Sequence, residues 1–538
     1  MKQIFKFRKT IYLLIAGVLS LLFVNQVQAD TSVTKNSITW TFDADYEVGQ
    51  FANGDWYVVA PGGVQITSIS PAWNGTGNGS MVNPVPGASQ GYNVSAPGYD
   101  SALNINLNLP YEIMPTSVLI STTERTPGSN KSYVNDAEIL TVVASTPPSG
   151  SFRPGYCDPD KIMYNTSSLN YSLLAKLTPT PSTPDLSEVV DMFARPWIDH
   201  LAGWTGRLIH PANNMPDYGR EISRNVGTGA LMLLLDYSDA EKEDLLINYV
   251  QLGIDLYSIV KNGGINNWLN DGGHASGRKW PIIFAGLMLN DTNMKNIGQK
   301  SGDYVLSGSF GVPPSDYVHF GEDDQTFYVT QDDIDITNSA SWNPDDRGGT
   351  PVPYDSTMLG MPEWGIRHAT NPEQSNSLWT ATYRQCCTAT SWSGFVLAAY
   401  VMGAKDLWNH DALFDYQDRW MAIANGESDP FGFSVSGETA GWRTNSIFAE
   451  EMWDTYRDNY GGNQNQIRAD VDNNSTINTT DAMLTLRNSL GLSMSGTNWF
   501  SSTTTGDVNC DGNSNSTDAM LILRHSLGLD MSGTGWCE

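Results

Sequence analysis

From Asp30 onward the apolar positions first recur at every second residue. SITWTF (37–42), GDWYVVAP (54–61), GVQITSIS (63–70), SVLIST (117–122) and EILTVVAS (138–145) are rich in β-branched and aromatic residues and are separated by Gly, Pro and Asn. Alternation of this kind places successive side chains on opposite faces of a strand, so residues 30–145 predict a β-rich N-terminal region. Residues 146–185 interrupt the pattern with closely spaced Pro and Gly, ending in LTPTPSTPD, and predict a connector laid over the surface.

Beyond the connector the period lengthens. REISRNVGTGALMLLLDY (220–237) is followed by KEDLLINYVQLGIDLYSIV (242–260), with Ser238 and Glu241 between them in capping-box relation, which predicts a helical hairpin. RKWPIIFAGLMLND (278–291), SNSLWTATYRQCCTATSWSGFVLAAYVMGA (375–404) and HDALFDYQDRWMAIA (410–424) continue the pattern, with long loops rich in Gly, Asn, Asp and aromatic residues between them. Helical hairpins joined by such loops suggest an α/α toroid over residues 186–460 with a carbohydrate cleft at one end, followed by a short linker at 461–468.

The first residues depart from both patterns. Lys2, Lys6, Arg8 and Lys9 precede an apolar run from Ile11 to Val24, and Val27, Gln28 and Ala29 supply a small-residue cleavage site. That arrangement reads as a secretory signal peptide over residues 1–29, removed on export. The run is shorter than the roughly 20 apolar residues a membrane-spanning helix needs, and no later segment supplies them, so no membrane span is expected after processing.

Composition narrows the partners. The 538 residues carry 58 acidic against 30 basic side chains, a net charge of −28. Such a surface does not bind nucleic acid by neutralising phosphates. Five cysteines in an exported chain leave at least one unpaired within it. Cys510 and Cys537 are expected to pair, and one of the adjacent Cys386 and Cys387 to reach Cys157.

Near the C-terminus DVDNNSTINTTDAMLTLRNSLGLSMSGTNW is nearly repeated as DVNCDGNSNSTDAMLILRHSLGLDMSGTGW. Aligned, the copies match Asp470, Asp472, Asn474, Asn478 and Asp481 with Asp507, Asn509, Asp511, Asn515 and Asp518. These are positions 1, 3, 5, 9 and 12 of a twelve-residue calcium loop, where short oxygen-bearing side chains surround a hard cation. Both copies end the loop with Asp rather than Glu, and Ser475 stands where a Gly is usual at position 6 of the first. The helices that follow carry Met483, Leu484, Leu486 and Leu490 at helical spacing. A calcium loop followed by one helix, given twice, resembles a dockerin. The resemblance covers residues 469–538 and implies a small all-α domain holding two Ca2+ ions, a cohesin-bearing scaffold protein as partner, and a body belonging to a secreted polysaccharide-degrading enzyme.

Histidine placement marks where chemistry is expected. His200, His210, His274, His319, His368 and His410 all fall in the helical region, and four loops there mix an imidazole with carboxylates, Arg or Tyr: 210–221, 270–279, 319–329 and 361–369. Two chemistries fit such loops. A polysaccharide lyase needs a cationic or neutral group on a uronate carboxylate, a base for the adjacent proton and an acid for the leaving oxygen. Asn214, His274 and Tyr328, with Arg278 or Arg367 on the carboxylate, supply that set. A glycoside hydrolase needs two carboxylates about 5–5.5 Å or 6.5–9.5 Å apart, and Asp217, Glu221, Asp271, Glu322, Asp323 and Glu363 are candidates. The Asn, His, Tyr order, with GGHASGRK opening a helix, resembles the α/α-toroid alginate and glucuronan lyases. That likeness implies β-elimination on a uronate-containing polysaccharide, with Asn214 and an Arg neutralising the carboxylate, His274 or Tyr328 as base and Tyr328 as acid. Cations concentrated in the loops of an acidic protein favour an anionic substrate over a neutral one. A non-catalytic glycan-binding component is the third reading, and it leaves those loops without a purpose.

Overall fold

A computed structural model of the chain describes residues 28–126, 131–215, 219–269, 272–299, 317–340, 342, 353–364, 386–429, 431, 443–460, 469–472, 476–492, 494, 497, 499, 506–509, 511 and 513–537. The proposed leader lies, up to residue 27, outside the described residues. The chain divides into two compact units, Met1–Trp453 and Asp454–Glu538. Among the described residues no helix is long and apolar enough to cross a membrane.

The alternating runs form one sheet: β1 (Gln28–Lys35), β2 (Ile38–Gln50), β3 (Trp56–Val59), β4 (Val64–Ser70), β5 (Ser80–Val82), β6 (Tyr111–Ile113), β7 (Ser117–Glu124) and β8 (Val134–Val143). Their order is β5-β7-β8-β3-β2-β4-β6, with β1 also paired to β2. Every pairing is antiparallel except β3 with β8, where Trp56 faces Leu140. Ile38, Trp40 and Phe42 alternate inward along β2 into a core completed by Val58, Ile66, Ile113, Leu119 and Leu140. The indole of Trp40 donates to Ser121 Oγ of β7 at 2.9 Å. Three strand spacings separate β2 from β7 in the sheet order, about 14 Å in a flat sheet. The bond is made only because the sheet curls on itself into a nearly closed barrel.

The connector is not a surface wrap throughout. Residues 151–158 are buried, because Arg153 carries its charge inward to two carboxylates. Its Nε donates to Asp55 at 2.6 Å, and its Nη1 and Nη2 donate to Asp255 at 2.9 and 2.6 Å. A buried guanidinium needs this degree of pairing, and the three-way contact clamps the sheet to the helix that bears Asp255.

The main helices of the first unit are Leu186–Phe193, Arg220–Leu233, Glu243–Lys261, Lys279–Leu289, Ala389–Val401 and Asp411–Ala424. They do not build the expected toroid. A toroid stacks hairpins of consecutive helices, whereas Arg220–Leu233 packs chiefly on Ala389–Val401, far along the chain. Gly227 and Gly394 explain that choice: a Cβ on Gly227 would lie 2.9 Å from Gly394 Cα, so the backbones touch where neither carries a side chain. A two-stranded antiparallel sheet, β9 (Thr326–Tyr328) with β10 (Pro362–Trp364), also interrupts the helical region. The reciprocal bonds between Ser238 and Glu241 form, but they close a turn ahead of a helix that starts at Glu243.

The second unit contains helices Thr479–Ser489 and Ser516–Ser526 packed on each other around Ala469, Ala482, Val508, Leu521 and Ile522. Ala482 and Ala519 hold equivalent places in the two copies and are both buried.

Candidate functional site

The duplicated loops of the second unit are built alike. Asn478 accepts from the Thr480 amide at 2.7 Å and Asn515 from Thr517 at 2.8 Å, each capping its helix. Asp481 accepts from the amides of Val471 at 2.9 Å and Asn478 at 2.8 Å. Asp518 accepts equally from Val508 at 2.9 Å and Asn515 at 2.9 Å. Each loop is thereby tied back to the helix it leads into, whatever fills it.

Asp470, Asp472 and Asp481 offer carboxylate oxygens within 4.8 Å of one another. Three converging carboxylates repel unless a cation sits among them, and the spacing fits the oxygen shell of Ca2+. Burial raises the Asp481 carboxyl above the usual carboxylate range, a cost that a bound cation reverses. In the second loop Asp511 accepts from the side-chain amide of Asn509 at 2.9 Å, and its own amide donates to Asp507 at 3.2 Å. Asn474 and Cys510 lie outside the described residues. Cys537 is disulfide-bonded.

In the first unit the four loops singled out by sequence meet in series. Gly219 packs against His274, joining 210–221 to 270–279. The Gly277 amide donates to Glu322 at 3.1 Å and the Lys279 ammonium pairs with Asp323, joining 270–279 to 319–329. The pairing of β9 with β10 then joins 319–329 to 361–369.

The candidate residues themselves are placed unequally. His274 is half-buried at the edge of this cluster. Arg278 is 2 % exposed and forks onto Asp199 at 2.7 and 3.2 Å, while its Nη1 donates to the carbonyls of His274 and Ser276. It staples the His274 loop and has no face left for a substrate carboxylate. Tyr328 is exposed, but its hydroxyl donates to Asp415 at 2.5 Å on helix Asp411–Ala424, a different element from those around His274. Burial, followed by the bond to Asp415, drives its phenol upward. Asn214 is buried and donates to the Arg195 carbonyl at 3.1 Å. Arg367, Asp217 and Asp271 lie outside the described residues, as does His368.

The described carboxylates named for hydrolysis are all buried. Glu322 is 0 % exposed, and burial, then neighbouring Asp323, push it up to about 8, so it is protonated at neutral pH. Asp323 is locked between Lys279 and the Trp408 indole, which donates at 2.7 Å. Glu363 and Glu221 are equally enclosed, Glu221 with Arg220 Nε at 2.9 Å. His200 and His210, buried and pushed down to about 3, stay neutral and pack among aromatic rings. His319 and His410 are likewise committed, to Asp324 and Thr326.

Sequence reading missed Arg220. It opens helix Arg220–Leu233 with its side chain partly exposed and its Cβ 3.2 Å from where Gly273 would carry one. Gly219 and Gly273 are the chain neighbours of Arg220 and His274, so the two glycines bring the backbones that carry these residues together. Its Nη1 donates to the carbonyl of Cys386. Cys386 is disulfide-bonded to Cys387, not to Cys157, which is free and buried. The segment DYGRE signalled Arg220 by placing a cation at a helix start, an unfavourable end for it unless something else fixes it there.

Comparison with known proteins adds one finding. Residues 468–527 match the family model of the dockerin type I domain. Neither the curated proteins nor the solved structures give a match, so the likeness of the body to toroid lyases has no relative behind it.

Proposed function

We propose that the chain is an extracellular component of a cohesin-organised assembly, and that its first unit cleaves a uronate-containing polysaccharide by β-elimination. One observation carries the enzymatic reading: the loops that bear His274, a half-buried imidazole, and Arg220, a partly exposed guanidinium, pack against each other at Gly219 and Gly273. Elimination requires that pair. Arg220 neutralises the uronate carboxylate and so acidifies the neighbouring C–H; His274 takes that proton as the C–O bond to the leaving sugar breaks and a C=C bond forms, and the leaving oxygen takes its proton from water. Among the described carboxylates hydrolysis is the poorer fit, because Glu221, Glu322, Asp323 and Glu363 are all buried.

The docking reading rests on the second unit. Met483, Leu486 and Leu490 on one helix and Met520, Leu523 and Leu527 on the other occupy equivalent places and are all exposed. Apolar residues repeated on two surfaces call for a protein partner, and a dockerin type I domain directs that partner to be a cohesin. Two Ca2+ ions, one per loop, hold the helices in place.

His274→Ala and Arg220→Gln separate the roles. The first is expected to lower kcat by orders of magnitude with a melting temperature near that of the parent, the second chiefly to raise KM, with a lower melting temperature because buried Glu221 loses its partner. Unchanged turnover in His274→Ala overturns the assignment.

A further inference from the structure

The geometry points to the Cys386–Cys387 disulfide as a positioning element that sets Arg220 and His274 against each other; the inference rests on the site proposed above but is tested separately from its activity. The bond joins adjacent residues and closes a small ring around a single peptide unit, so the Cys386 carbonyl carbon and the Cys387 Cβ, both ring atoms, are held in fixed relation. Both are used. The Cys386 carbonyl oxygen accepts from Arg220 Nη1. The Cys387 Cβ lies 3.0 Å from where a Cβ on Gly273 would stand.

The ring thus touches the guanidinium on one side and the backbone preceding His274 on the other. It is anchored from behind, because it leads into helix Ala389–Val401, whose Gly394 abuts Gly227 of the helix that begins with Arg220. Cys387 is buried against this helix while Cys386 is only partly covered, so the ring forms a wall of the site and not part of the core. A thiol pair or two serines in the same place would release the peptide unit between residues 386 and 387, and with it the carbonyl that holds Arg220. A long charged side chain such as Arg220 then explores more rotamers, and the gap to His274 is no longer set.

The test uses the full chain carrying Cys386→Ser and Cys387→Ser together, which spares the disulfide of Cys537. Hydrogen exchange is compared with the parent. Amides of 219–221 and 272–278 are expected to exchange faster, while those in the middle of helix Glu243–Lys261 are unaltered. On an accepted uronate polymer, kcat/KM is expected to fall about 100-fold, the cost of misplacing a catalytic group by about 1 Å. With Arg220→Gln already present, the serine pair should cost much less than in the parent, since both changes disable one unit. Unchanged exchange at 272–278 overturns the inference whatever the protein acts on, and so does a full, additive loss in the Arg220→Gln background. A parent chain inactive on every uronate polymer removes the proposed reaction, while faster exchange at both segments still upholds the positioning role.

Discussion

Gly219 lies so close to His274 that a methyl group on it would stand 2.9 Å from the imidazole Cδ2. The glycine has an ordinary φ of −61°, so its requirement is spatial and not conformational. The methyl would stand equally close to His274 Cα, so Gly219→Ala should displace the His274 backbone together with its ring. We expect kcat/KM to drop by about 100-fold together with a lower melting temperature. Parent-like kinetics in this variant would show that the ring position does not matter.

Arg278 and His274 stand in the same loop yet should respond oppositely to removal. Arg278 is buried and paired with Asp199, so Arg278→Ala leaves a buried carboxylate without its partner, at a cost of about 3–5 kcal/mol. His274→Ala should leave stability almost unaltered. Urea denaturation, following the transition of the first unit apart from that of the second, distinguishes them. Equal stability of the two variants would return Arg278 to the list of substrate contacts.

Glu322 gives a pH dependence of defined sign. Its carboxyl, raised to about 8 by burial and Asp323 against an ordinary 4.5, keeps its proton in the folded chain where the unfolded chain has lost it. The stabilisation is complete below about pH 4.5 and is lost as pH rises toward 8, by up to about 1.4 kcal/mol per pH unit. Glu322→Gln is neutral at every pH, so its melting temperature should vary less than the parent's across this window. An identical slope in both proteins would contradict the protonated assignment.

Much of this was legible in the chain, and the failures have physical causes. Alternation identified β2 and β4, which have one face in a core, whereas β7 and β8 are buried on both faces and were legible as runs of β-branched residues. Three-residue strands such as β5, β6, β9 and β10 carry too few positions to show a period. The calcium loops were readable because ligand spacing is local. The toroid failed because helix periodicity reveals that a face is buried but not against what, and Gly227 with Gly394 made a distant helix the better partner. The pairing of Arg278 was hidden for a related reason: its buried partner, Asp199, sits 79 positions away. The same blindness hid Arg220, whose neighbours Gly273 and Cys386 come from other loops.

Calcium removal should act on the second unit alone. Chelation is expected to lower the melting transition of that unit and to expose Leu484 and Leu521, now buried between its helices. Titration calorimetry should return two ions per chain in the parent and one each in Asp470→Ala and Asp507→Ala. Undiminished stoichiometry in either variant would place the ion elsewhere.

The most direct measurement is ultraviolet absorbance of a conjugated uronate double bond while the full chain is incubated with uronate-containing and neutral polysaccharides, alongside a reducing-end assay and the His274→Ala variant. Absorbance rising with uronate polymers only, and abolished in the variant, is the predicted result. New reducing ends without absorbance would make the protein a hydrolase and contradict the roles given to His274 and Arg220.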